Sequence, residues 1–196
     1  MAKFSLSGLF GSKTDIPIYK PQKKGKPAHM IQVDTAWSGI ELIIEDILDR
    51  FQVKRNRCIE FGVEFGYSSV VFSNYFKQVT GVDTFEGDEH TLHKGDHFEQ
   101  TKVRLASFPN IQLHKSDYRD WIKKDDSQYN FAHVDIVHNY KETYECGLWA
   151  VNHCTCTIFH DTESFPAVRK AVIDLAKATS KRVFNYPKCY GLGIIV

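Results

Sequence analysis

Residues 58–67 read Cys-Ile-Glu-Phe-Gly-Val-Glu-Phe-Gly-Tyr, and this stretch decides the fold class. An apolar run that contains Glu60 ends in two glycines, Gly62 and Gly66, and a helical pattern begins directly afterwards. A strand followed by a glycine-containing turn and a helix is the opening unit of a doubly wound α/β domain, in which the turn binds a nucleotide-like cofactor. The stretch therefore predicts a strand, a ligand-binding turn and a helix.

An acidic residue about twenty positions further on supports this interpretation. Asp83 closes the run Gln78–Asp83, where an acid at the end of the second strand would hold ribose hydroxyls. The glycine pattern nevertheless differs from the dinucleotide fingerprint, because Glu64 replaces the middle glycine that would let the backbone approach a pyrophosphate. A carboxylate repels phosphate, so Glu60 and Glu64 favour a cofactor with cationic centres and no phosphate. S-adenosylmethionine (SAM), with its sulfonium and ammonium groups, meets that description.

The composition restricts the number of domains, the partners and the location. The chain has 196 residues, of which 42% are hydrophobic, and this favours one domain. Acidic and basic residues are interspersed with a formal net charge of +1, so we expect no nucleic-acid partner and no membrane association. The sequence has neither a run of about 20 apolar residues nor a secretion signal, which predicts a cytoplasmic protein. Its five cysteines favour buried thiols over disulfides or a zinc site.

Two segments precede the first strand. Residues 1–29 are predicted to form an irregular arm, and a single domain is predicted to span residues 30–196. The basic run Lys20–Pro27 within the arm is interpreted as a solvated linker, with a docking patch for an anionic acceptor as the alternative. Apolar residues then recur at helical spacing over residues 34–51. This pattern predicts a helix that covers the cofactor cleft.

Strand and helix patterns alternate along the rest of the chain. Strands are predicted near residues 57–62, 78–83, 111–116, 130–136 and 154–160, and helices near 67–76, 95–106, 140–152 and 165–178. Such alternation implies a parallel sheet with helices on both faces. The last two strand patterns, Lys181–Pro187 and Gly191–Val196, are separated by a link so short that it permits only an antiparallel hairpin. The sequence thus predicts an α/β fold with a doubly wound, mostly parallel, seven-stranded sheet and a C-terminal antiparallel hairpin.

Three blocks of sequence carry a resemblance to a known family. They are Ile59–Ser68, Val82–His90, and Phe131–Tyr140 together with Thr157–Thr162, and they follow in order at the ends of successive strand patterns. With these blocks the chain resembles the class I SAM-dependent methyltransferases, which have a Rossmann-like fold. Within that class it is similar to the family called methyltransferase domain 24.

The resemblance implies a set of cofactor contacts at the ends of the first three strands. Glycines there allow close approach of the backbone, and the start of the following helix offers N–H groups to the methionine carboxylate. The residues implied are Glu60, Gly62, Gly66 and Ser68 at the methionine end, Asp83 at the ribose, and Ser116, Asp117 and Tyr118 at the adenine. Asp117 is also a candidate helix cap before Trp121.

Acidic and histidine residues follow the fourth and fifth strand patterns. Asp135 and His138 stand at the end of the fourth strand, and His160 and Asp161 end the fifth. The carboxyl ends of the strands in an open α/β sheet face one crevice, so these residues should meet beside the cofactor's methyl group. Methyl transfer to a hydroxyl requires alignment of the acceptor oxygen and removal of its proton. We therefore expect all four residues to be catalytic, with Asp135 or His138 as the base.

A divalent ion offers a second route to the same chemistry. Asp135 and Asp161 are hard oxygen ligands that could hold Mg²⁺ and lower the pKa of the acceptor hydroxyl. Thr162 stands where catechol-type relatives place an amide ligand, so a metal site would need His138, His160 or water to be complete.

The other histidines have simpler interpretations. His133 lies in the middle of a strand pattern and is interpreted as a hydrogen-bonded core residue. The segment 88–97 contains His90, His93 and His97 among acidic residues, and it favours a mobile lid over the adenosine, with metal binding as the alternative.

The leading hypothesis is a SAM-dependent O-methyltransferase that acts on a small hydroxylated acceptor, which the resemblance suggests is a sugar or glycan precursor. The alternative is a SAM-binding module without turnover that partners another protein, because Ile136 and Val137 depart from the family pattern and a glycine pair is missing before the fifth strand. An NAD(P)-linked oxidoreductase shares the strand–turn–helix frame, but Glu64 and the terminal hairpin argue against it. The sequence leaves the acceptor undecided and a homodimer open.

Overall fold

Seven strands form one sheet in the computed structural model, which describes residues 16–87 and 95–196. The strands are β1 (Arg57–Phe61), β2 (Gln78–Asp83), β3 (Ile111–Lys115), β4 (Tyr129–Val134), β5 (Cys154–His160), β6 (Val183–Tyr186) and β7 (Leu192–Ile195). They lie side by side in the order β3-β2-β1-β4-β5-β7-β6. β7 is antiparallel to both of its neighbours, and every other pair is parallel. The predicted sheet and its terminal hairpin are confirmed.

Six α-helices occur in the described ranges. They are α1 (Ile44–Arg50), α2 (Tyr67–Ser73), α3 (Phe98–Arg104), α4 (Tyr118–Ile122), α5 (Tyr140–His153) and α6 (Pro166–Thr179). α1 and the 3₁₀ turn before it are shorter than the predicted helix over residues 34–51, because Gly39 has a φ of 99° and interrupts the helical path. α4 follows Asp117, its candidate cap, but five residues are too few for a periodic pattern to predict its bounds. None of the helices in these ranges is long and apolar enough to cross a membrane.

The central strands alternate their side chains between two hydrophobic cores. Cys58 and Phe131 pack with α1 and α2 on one face of the sheet. Their neighbours Ile59 and Ala132 pack with α5 and α6 on the other face. Because the side chains of a strand alternate with a period of two, polar residues near the strand ends are also sorted between these faces.

The N-terminal segment packs against the domain from residue 16 onwards. Tyr19 is almost fully buried, and its hydroxyl donates to Asp46 on α1. Lys23 donates to Asp49 over 2.6 Å, so the basic run lies against acidic residues of α1. The four lysines of the run are exposed, as expected for a solvated segment, while the backbone N–H groups of Gln22 and Lys23 donate to Asp46 and anchor the run on α1.

The chain order reverses between β1 and β4. The chain first moves outward through β2 and β3, and then returns to add β4 and β5 on the other side of β1. Connections on the two sides leave the sheet in opposite directions at this point, which opens a crevice at the carboxyl ends of the strands. A ligand site is expected there.

Candidate active site

A cavity of about 740 Å³ opens at the carboxyl ends of the central strands, where the chain order reverses. Its walls include the turn after β1, the ends of β2, β3, β4 and β5, and residues 33–37 of the N-terminal segment. Ten of the twelve predicted site residues line it, namely Gly62, Ser68, Asp83, Ser116, Asp117, Tyr118, Asp135, His138, His160 and Asp161. The topology therefore brings together residues that are up to 99 positions apart in sequence.

Glu60 and Gly66, the other two, lie behind the cavity wall. Glu60 is fully buried and accepts hydrogen bonds from Ser69 and His133. Gly66 has a φ of 84° at the start of α2, and a Cβ there would lie 2.6 Å from the side chain of Leu105. Glu60 thus belongs to an internal hydrogen-bond network, and Gly66 allows the turn its conformation. Neither residue lines the cavity.

Gly62 permits the close approach of two strand ends. Its φ is 87°, and a Cβ on it would lie 1.7 Å from the carbonyl oxygen of Asp135. The backbone N–H of Asp135 donates to the carbonyl of Phe61 over 2.9 Å. The sequence argument assigned this glycine to contact with a cofactor, whereas its nearest neighbour here is β4. Gly62 therefore also positions Asp135.

The carboxylate of Asp83 closes the turn formed by residues 62–66, which we name the glycine turn. Its Oδ2 accepts the backbone N–H groups of Val63 (2.7 Å) and Glu64 (2.8 Å), and its Oδ1 accepts that of Phe85 (2.8 Å). Glu64 and Phe85 have positive φ values of 51° and 57°, conformations that non-glycine residues rarely adopt. Each carboxylate oxygen can accept further bonds, so Asp83 retains capacity for hydroxyl donors.

The residues after β3, which the resemblance assigns to the adenine, line one side of the cavity. Asp117 caps α4 by accepting the backbone N–H of Arg119 over 2.7 Å, which confirms its interpretation as a helix cap, and it also lines the cavity. Arg119 pairs with Asp117 and with Glu142 on α5, which ties two helices together across the wall. Sequence reasoning missed Arg119 and Glu142, because ion pairs between separate helices leave no local pattern.

Asp135, His138, His160 and Asp161 form one compact group, which we name the charged cluster. Nδ1 of His160 lies 3.1 Å from Oδ2 of Asp135, and Nε2 of His138 lies 3.4 Å from its Oδ1. Asp161 Oδ2 is 2.9 Å from Nε2 of His138 and 3.5 Å from Nδ1 of His160. Each carboxylate therefore contacts both imidazoles.

These contacts shift the pKa values within the charged cluster. Burial favours the neutral form of His138, but its hydrogen bonds to the two aspartates outweigh burial and raise its pKa to about 10. The same competition raises the pKa of His160, while burial of Asp135 is outweighed by the two histidines, which hold its pKa well below the usual range. Nε2 of His160 also faces the carbonyl of Cys189 at 3.2 Å, so acceptors face both ring nitrogens and both carry protons.

The turn between β6 and β7 supports the charged cluster from outside. Cys189, Tyr190 and Gly191 have φ values of 53°, 64° and 94°, and this conformation aims the Cys189 carbonyl at His160. Asp161 itself has a φ of 65°. Backbone strain of this kind persists only where the surrounding contacts enforce it, and it is common at functional sites. The exposed ring of Tyr190 lines the cavity mouth, a contribution that no sequence motif indicated.

Three members of the charged cluster have the geometry to share a metal ion. Asp135, His138 and Asp161 each offer one ligand atom, and these atoms lie within 4.8 Å of one another. Thr162, the residue at the position of the amide ligand, is buried, and its hydroxyl donates to Asn185 over 2.6 Å. An ion at this site would therefore be held by two carboxylates and an imidazole.

The histidine of β4 is interpreted from the sequence as a core residue, and those of the segment 88–97 as part of a lid. His133 is fully buried and hydrogen-bonded through both ring nitrogens, so its interpretation as a core residue is confirmed. His90 and His93 lie outside the described residues, as does most of the segment 88–97 that was interpreted as a lid. His97 is described and lines the cavity, with its ring 5.7 Å from that of Phe85.

Several solved methyltransferases have the same fold. The O-methyltransferase NovP has a TM-score of 0.63 at 12% identity, and the match covers 80% of this chain and 76% of NovP. TomG from Streptomyces achromogenes, an O-methyltransferase of tomaymycin synthesis in complex with SAM, has a TM-score of 0.56 at 15% identity and 76% coverage of both chains. The methyltransferase PaMTH1 of Podospora anserina, bound to S-adenosylhomocysteine, has a TM-score of 0.57 at 12% identity, with 76% of this chain and 74% of PaMTH1 covered.

The sequence itself identifies the family. No curated protein matches the chain significantly. The profile of a methyltransferase-domain family, methyltransferase domain 24, matches residues 59–162, which is more than half of the 196 residues. The matched region begins in β1, ends directly after β5 and contains both the glycine turn and the charged cluster. The chain therefore belongs to the methyltransferase domain 24 family of class I SAM-dependent methyltransferases.

Proposed function

We propose that this protein transfers the methyl group of SAM to a hydroxyl group of a small acceptor. The observation that carries the proposal is the position of the glycine turn, Asp83 and the charged cluster in the walls of one cavity. A cofactor bound at the glycine turn and an acceptor bound at the charged cluster would meet inside this cavity. Sugars and glycan precursors are the acceptors that the family resemblance favours.

The glycine turn and Asp83 supply the cofactor site in this proposal. Asp83 accepts ribose hydroxyls with the lone pairs that its three backbone bonds leave available. Glu64, which disfavours a pyrophosphate, is compatible with the cationic sulfonium. Ser116, Asp117 and Tyr118 border the adenine. The SAM-bound structure of TomG supports the choice of cofactor by its similar fold.

The charged cluster orients the acceptor and takes up its proton. Methyl transfer is an in-line displacement, in which the acceptor oxygen attacks the methyl carbon while the carbon–sulfur bond breaks. Asp135 and Asp161 present carboxylate oxygens to the acceptor hydroxyl, and the two histidines stabilise the charge on them. Because the imidazoles already carry protons, the hydroxyl proton passes to a carboxylate oxygen of Asp135 or Asp161, and the two imidazoles that contact each carboxylate share the resulting change in charge.

The donor set of the charged cluster fits a divalent ion, although Mg²⁺ is not the best match. Mg²⁺ prefers six oxygen ligands, whereas the third protein ligand here is the imidazole of His138. Imidazole with two carboxylates suits a first-row transition ion such as Mn²⁺. An ion held there would lower the pKa of the acceptor hydroxyl. Asp135, His138 and Asp161 would hold it, and His160 would orient Asp135.

The cysteines bear on the cellular location of the proposed reaction. All five cysteines are unpaired, and four of them are buried. Unpaired thiols are typical of a reducing compartment. We therefore assign the reaction to the cytoplasm.

Calorimetric titration with S-adenosylhomocysteine tests the cofactor assignment, with NADH as the control ligand. We expect one-to-one micromolar binding of S-adenosylhomocysteine and no binding of NADH. Binding of NADH alone would instead support the oxidoreductase alternative. Titration with Mn²⁺ and with Mg²⁺ in parallel then tests the ion, and we expect the tighter binding for Mn²⁺.

A transfer assay tests the reaction. Purified protein is incubated with methyl-labelled SAM and a panel of sugars, sugar nucleotides and phenols, with and without Mn²⁺. Label in a hydroxylated product supports the O-methyltransferase. Tight binding of S-adenosylhomocysteine without transfer to any member of a broad panel would favour the SAM-binding module without turnover.

A further inference from the structure

A chain of hydrogen bonds crosses the core from α2 to the N-terminal segment. Ser69 on α2 donates to Oε2 of Glu60 on β1, and Oε1 of Glu60 lies 2.9 Å from Nδ1 of His133 on β4. The indole N–H of Trp37 donates to Nε2 of His133 over 3.1 Å. All four side chains are buried, and we name them the buried relay. The proposed methyl transfer uses none of these four residues.

The chemistry of the indole group fixes the direction of both hydrogen bonds that His133 makes. An indole nitrogen only donates, so Nε2 of His133 accepts and carries no proton. The ring proton therefore lies on Nδ1, from which it is donated to Glu60. Ser69 donates to the other oxygen of the same carboxylate. The tautomer of His133, and with it the bond to Trp37, thus depends on an acceptor at position 60.

Stability alone does not explain a carboxylate at this position. Removal of a carboxylate from water is costly, and hydrophobic residues of similar volume often stabilise a core equally well. Glu60 shares its face of the sheet with the apolar side chains Cys58 and Phe131, which an apolar residue would continue. The buried relay instead joins two parts of the cavity wall, because Trp37 and Ser68, the neighbour of Ser69, both line the cavity.

The Trp37 ring lies close to the charged cluster. Its centroid is 6.5 Å from that of His160 and 5.1 Å from that of His133, and it meets the ring of Phe72 edge-on at 5.4 Å. Phe72 and His133 limit the ring by packing, while the bond to Nε2 of His133 selects one orientation of its polar edge. The wall beside His160 is therefore set by a hydrogen bond as well as by shape.

We propose that Glu60 and His133 are positioning residues that hold the Trp37 ring as a fixed wall of the cavity beside His160. Glu60 acts on a bound ligand only through this ring. The assignment replaces the contact between Glu60 and the methionine end of the cofactor that the sequence suggested, since Glu60 is fully buried behind the wall. The proposal concerns the wall itself and does not depend on the identity of the acceptor.

Nuclear magnetic resonance of the indole N–H groups tests the buried relay without any assay of activity. The chain has three tryptophans, and Trp37→Phe assigns the signal of Trp37. Glu60→Leu removes the acceptor for His133, so we expect the Trp37 signal to shift and its protection from hydrogen exchange to be lost. Glu60→Gln is the matched conservative variant, because its amide oxygen can accept from His133 while its NH₂ group donates to Ser69. We expect Glu60→Gln to retain the Trp37 signal.

Trp121 provides a control within the same spectra. Its indole N–H donates to Asp125 over 3.0 Å, away from the buried relay, and its signal should stay unchanged in both variants. An unshifted and protected Trp37 signal in folded Glu60→Leu would overturn the proposal. If Glu60→Leu fails to fold, the ¹⁵N shifts of His133 in the unaltered protein decide instead. A proton on Nδ1 alone is the expected result, and a proton on Nε2 would overturn the proposal.

Titration of the same samples with S-adenosylhomocysteine tests the role of Trp37 as a wall. We expect the Trp37 signal to move as the ligand binds, and the Trp121 signal to stay in place. Calorimetric binding with an unmoved Trp37 signal would contradict the wall, although the cofactor proposal would stand. Failure to bind would instead contradict the cofactor proposal and leave the tautomer result valid.

Discussion

The glycine turn and the charged cluster face each other across one cavity, but different kinds of hydrogen bond hold them. In the glycine turn, backbone N–H groups gather around one carboxylate, that of Asp83. In the charged cluster, side chains contact side chains, with nitrogen–oxygen distances from 2.9 to 3.5 Å. The glycine turn therefore needs one acid and a suitable backbone conformation, whereas the charged cluster needs four specific side chains.

This difference indicates which changes each wall tolerates. Backbone amides are the same for every residue except proline, so most side chains in the glycine turn can vary without loss of its bonds. A change in the charged cluster removes one partner from a buried charge, and an unpaired buried charge is costly. Substitutions in the cluster should therefore affect the chemistry, and substitutions at Asp83 should affect binding. The predictions that follow test this division, beginning with the largest expected effect.

Asp135→Asn should abolish turnover and spare cofactor binding. The amide keeps the size of the side chain but loses the charge that faces both histidines. We expect kcat to fall by about 10³-fold, within the range of 10²- to 10⁴-fold for general acid–base catalysis. The affinity for S-adenosylhomocysteine, measured by calorimetry, should stay within about twofold because Asp83 and the glycine turn are untouched.

Glu163→Gln is the matched control for Asp135→Asn. It removes a carboxylate two positions after Asp161, outside the residues that line the cavity. Turnover of this variant should be close to that of the unaltered protein. Normal turnover of Asp135→Asn itself, in a sample shown to be folded by thermal melting, would remove Asp135 from the mechanism.

Gly62→Ala should disturb both the glycine turn and the charged cluster, because Gly62 of the turn contacts Asp135 of the cluster. The added Cβ would lie 1.7 Å from the Asp135 carbonyl oxygen, and alanine disfavours a φ of 87°. The backbone term of about 1–2 kcal/mol and overpacking of about 1–3 kcal/mol predict a loss of about 3 kcal/mol in the free energy of unfolding. For a chain of this length that loss lowers Tm by about 6–12 °C.

Gly25→Ala is the control, since its Cβ would meet Glu45 at an ordinary 3.5 Å. We expect a change in Tm of less than about 2 °C for it, as for most surface substitutions. If Gly62→Ala melted like Gly25→Ala, the two strand ends would not be in the close contact described above.

Asp83→Asn should weaken cofactor binding and leave the charged cluster intact. The amide NH₂ group would face backbone donors where a carboxylate oxygen now accepts their bonds. Loss of charge-assisted hydrogen bonds costs about 1.5–3 kcal/mol, which predicts a rise in Kd for S-adenosylhomocysteine of about 10- to 100-fold. Turnover at saturating SAM should be nearly normal. Asp96→Asn, at an exposed acid that also accepts a backbone N–H, controls for the loss of charge.

The comparison also explains what could be predicted from the sequence. The strands, the hairpin and Asp83 follow from periodic patterns and local spacing, which one chain segment determines by itself. The close approach of Gly62 to Asp135 and the carbonyl of Cys189 beneath His160 depend on how distant segments pack. No local pattern encodes such contacts.

The contacts of Glu60 differ from those that its place in the motif suggests. Its place in the strand before the glycine turn suggested a cofactor ligand, but side chains alternate along β1, and the even positions point towards α2. The register pairs Glu60 with His133 on the adjacent strand, so the nearest partner of Glu60 is a histidine in the core. The sequence predicted a buried His133 without revealing that this histidine would be the partner of Glu60.

The smallest predicted effect concerns Thr162, at the boundary between the charged cluster and the core. Its buried hydroxyl donates to Asn185 over 2.6 Å, so Thr162→Val leaves the Asn185 oxygen without that donor. A loss of about 1 kcal/mol is expected, which lowers Tm by about 2–4 °C. Thr157→Val is a well-matched control, because Thr157 is equally buried and its hydroxyl has no partner in the described part of the chain. Its Tm should stay the same or rise, since the change removes an unsatisfied polar group.

An Mn²⁺ titration of Thr162→Val then assigns the role of this residue. If Asp135, His138 and Asp161 are the ligands, as their geometry suggests, the affinity for Mn²⁺ should equal that of the unaltered protein even though Tm is lower. A weakened affinity for Mn²⁺ with an unchanged Tm would instead make the Thr162 hydroxyl a metal ligand. Thr162 would then belong to the charged cluster rather than to the core. The two readouts separate these roles because a hydroxyl whose proton is donated to Asn185 contributes to stability in every state of the protein, whereas a ligand contributes only when the ion is bound.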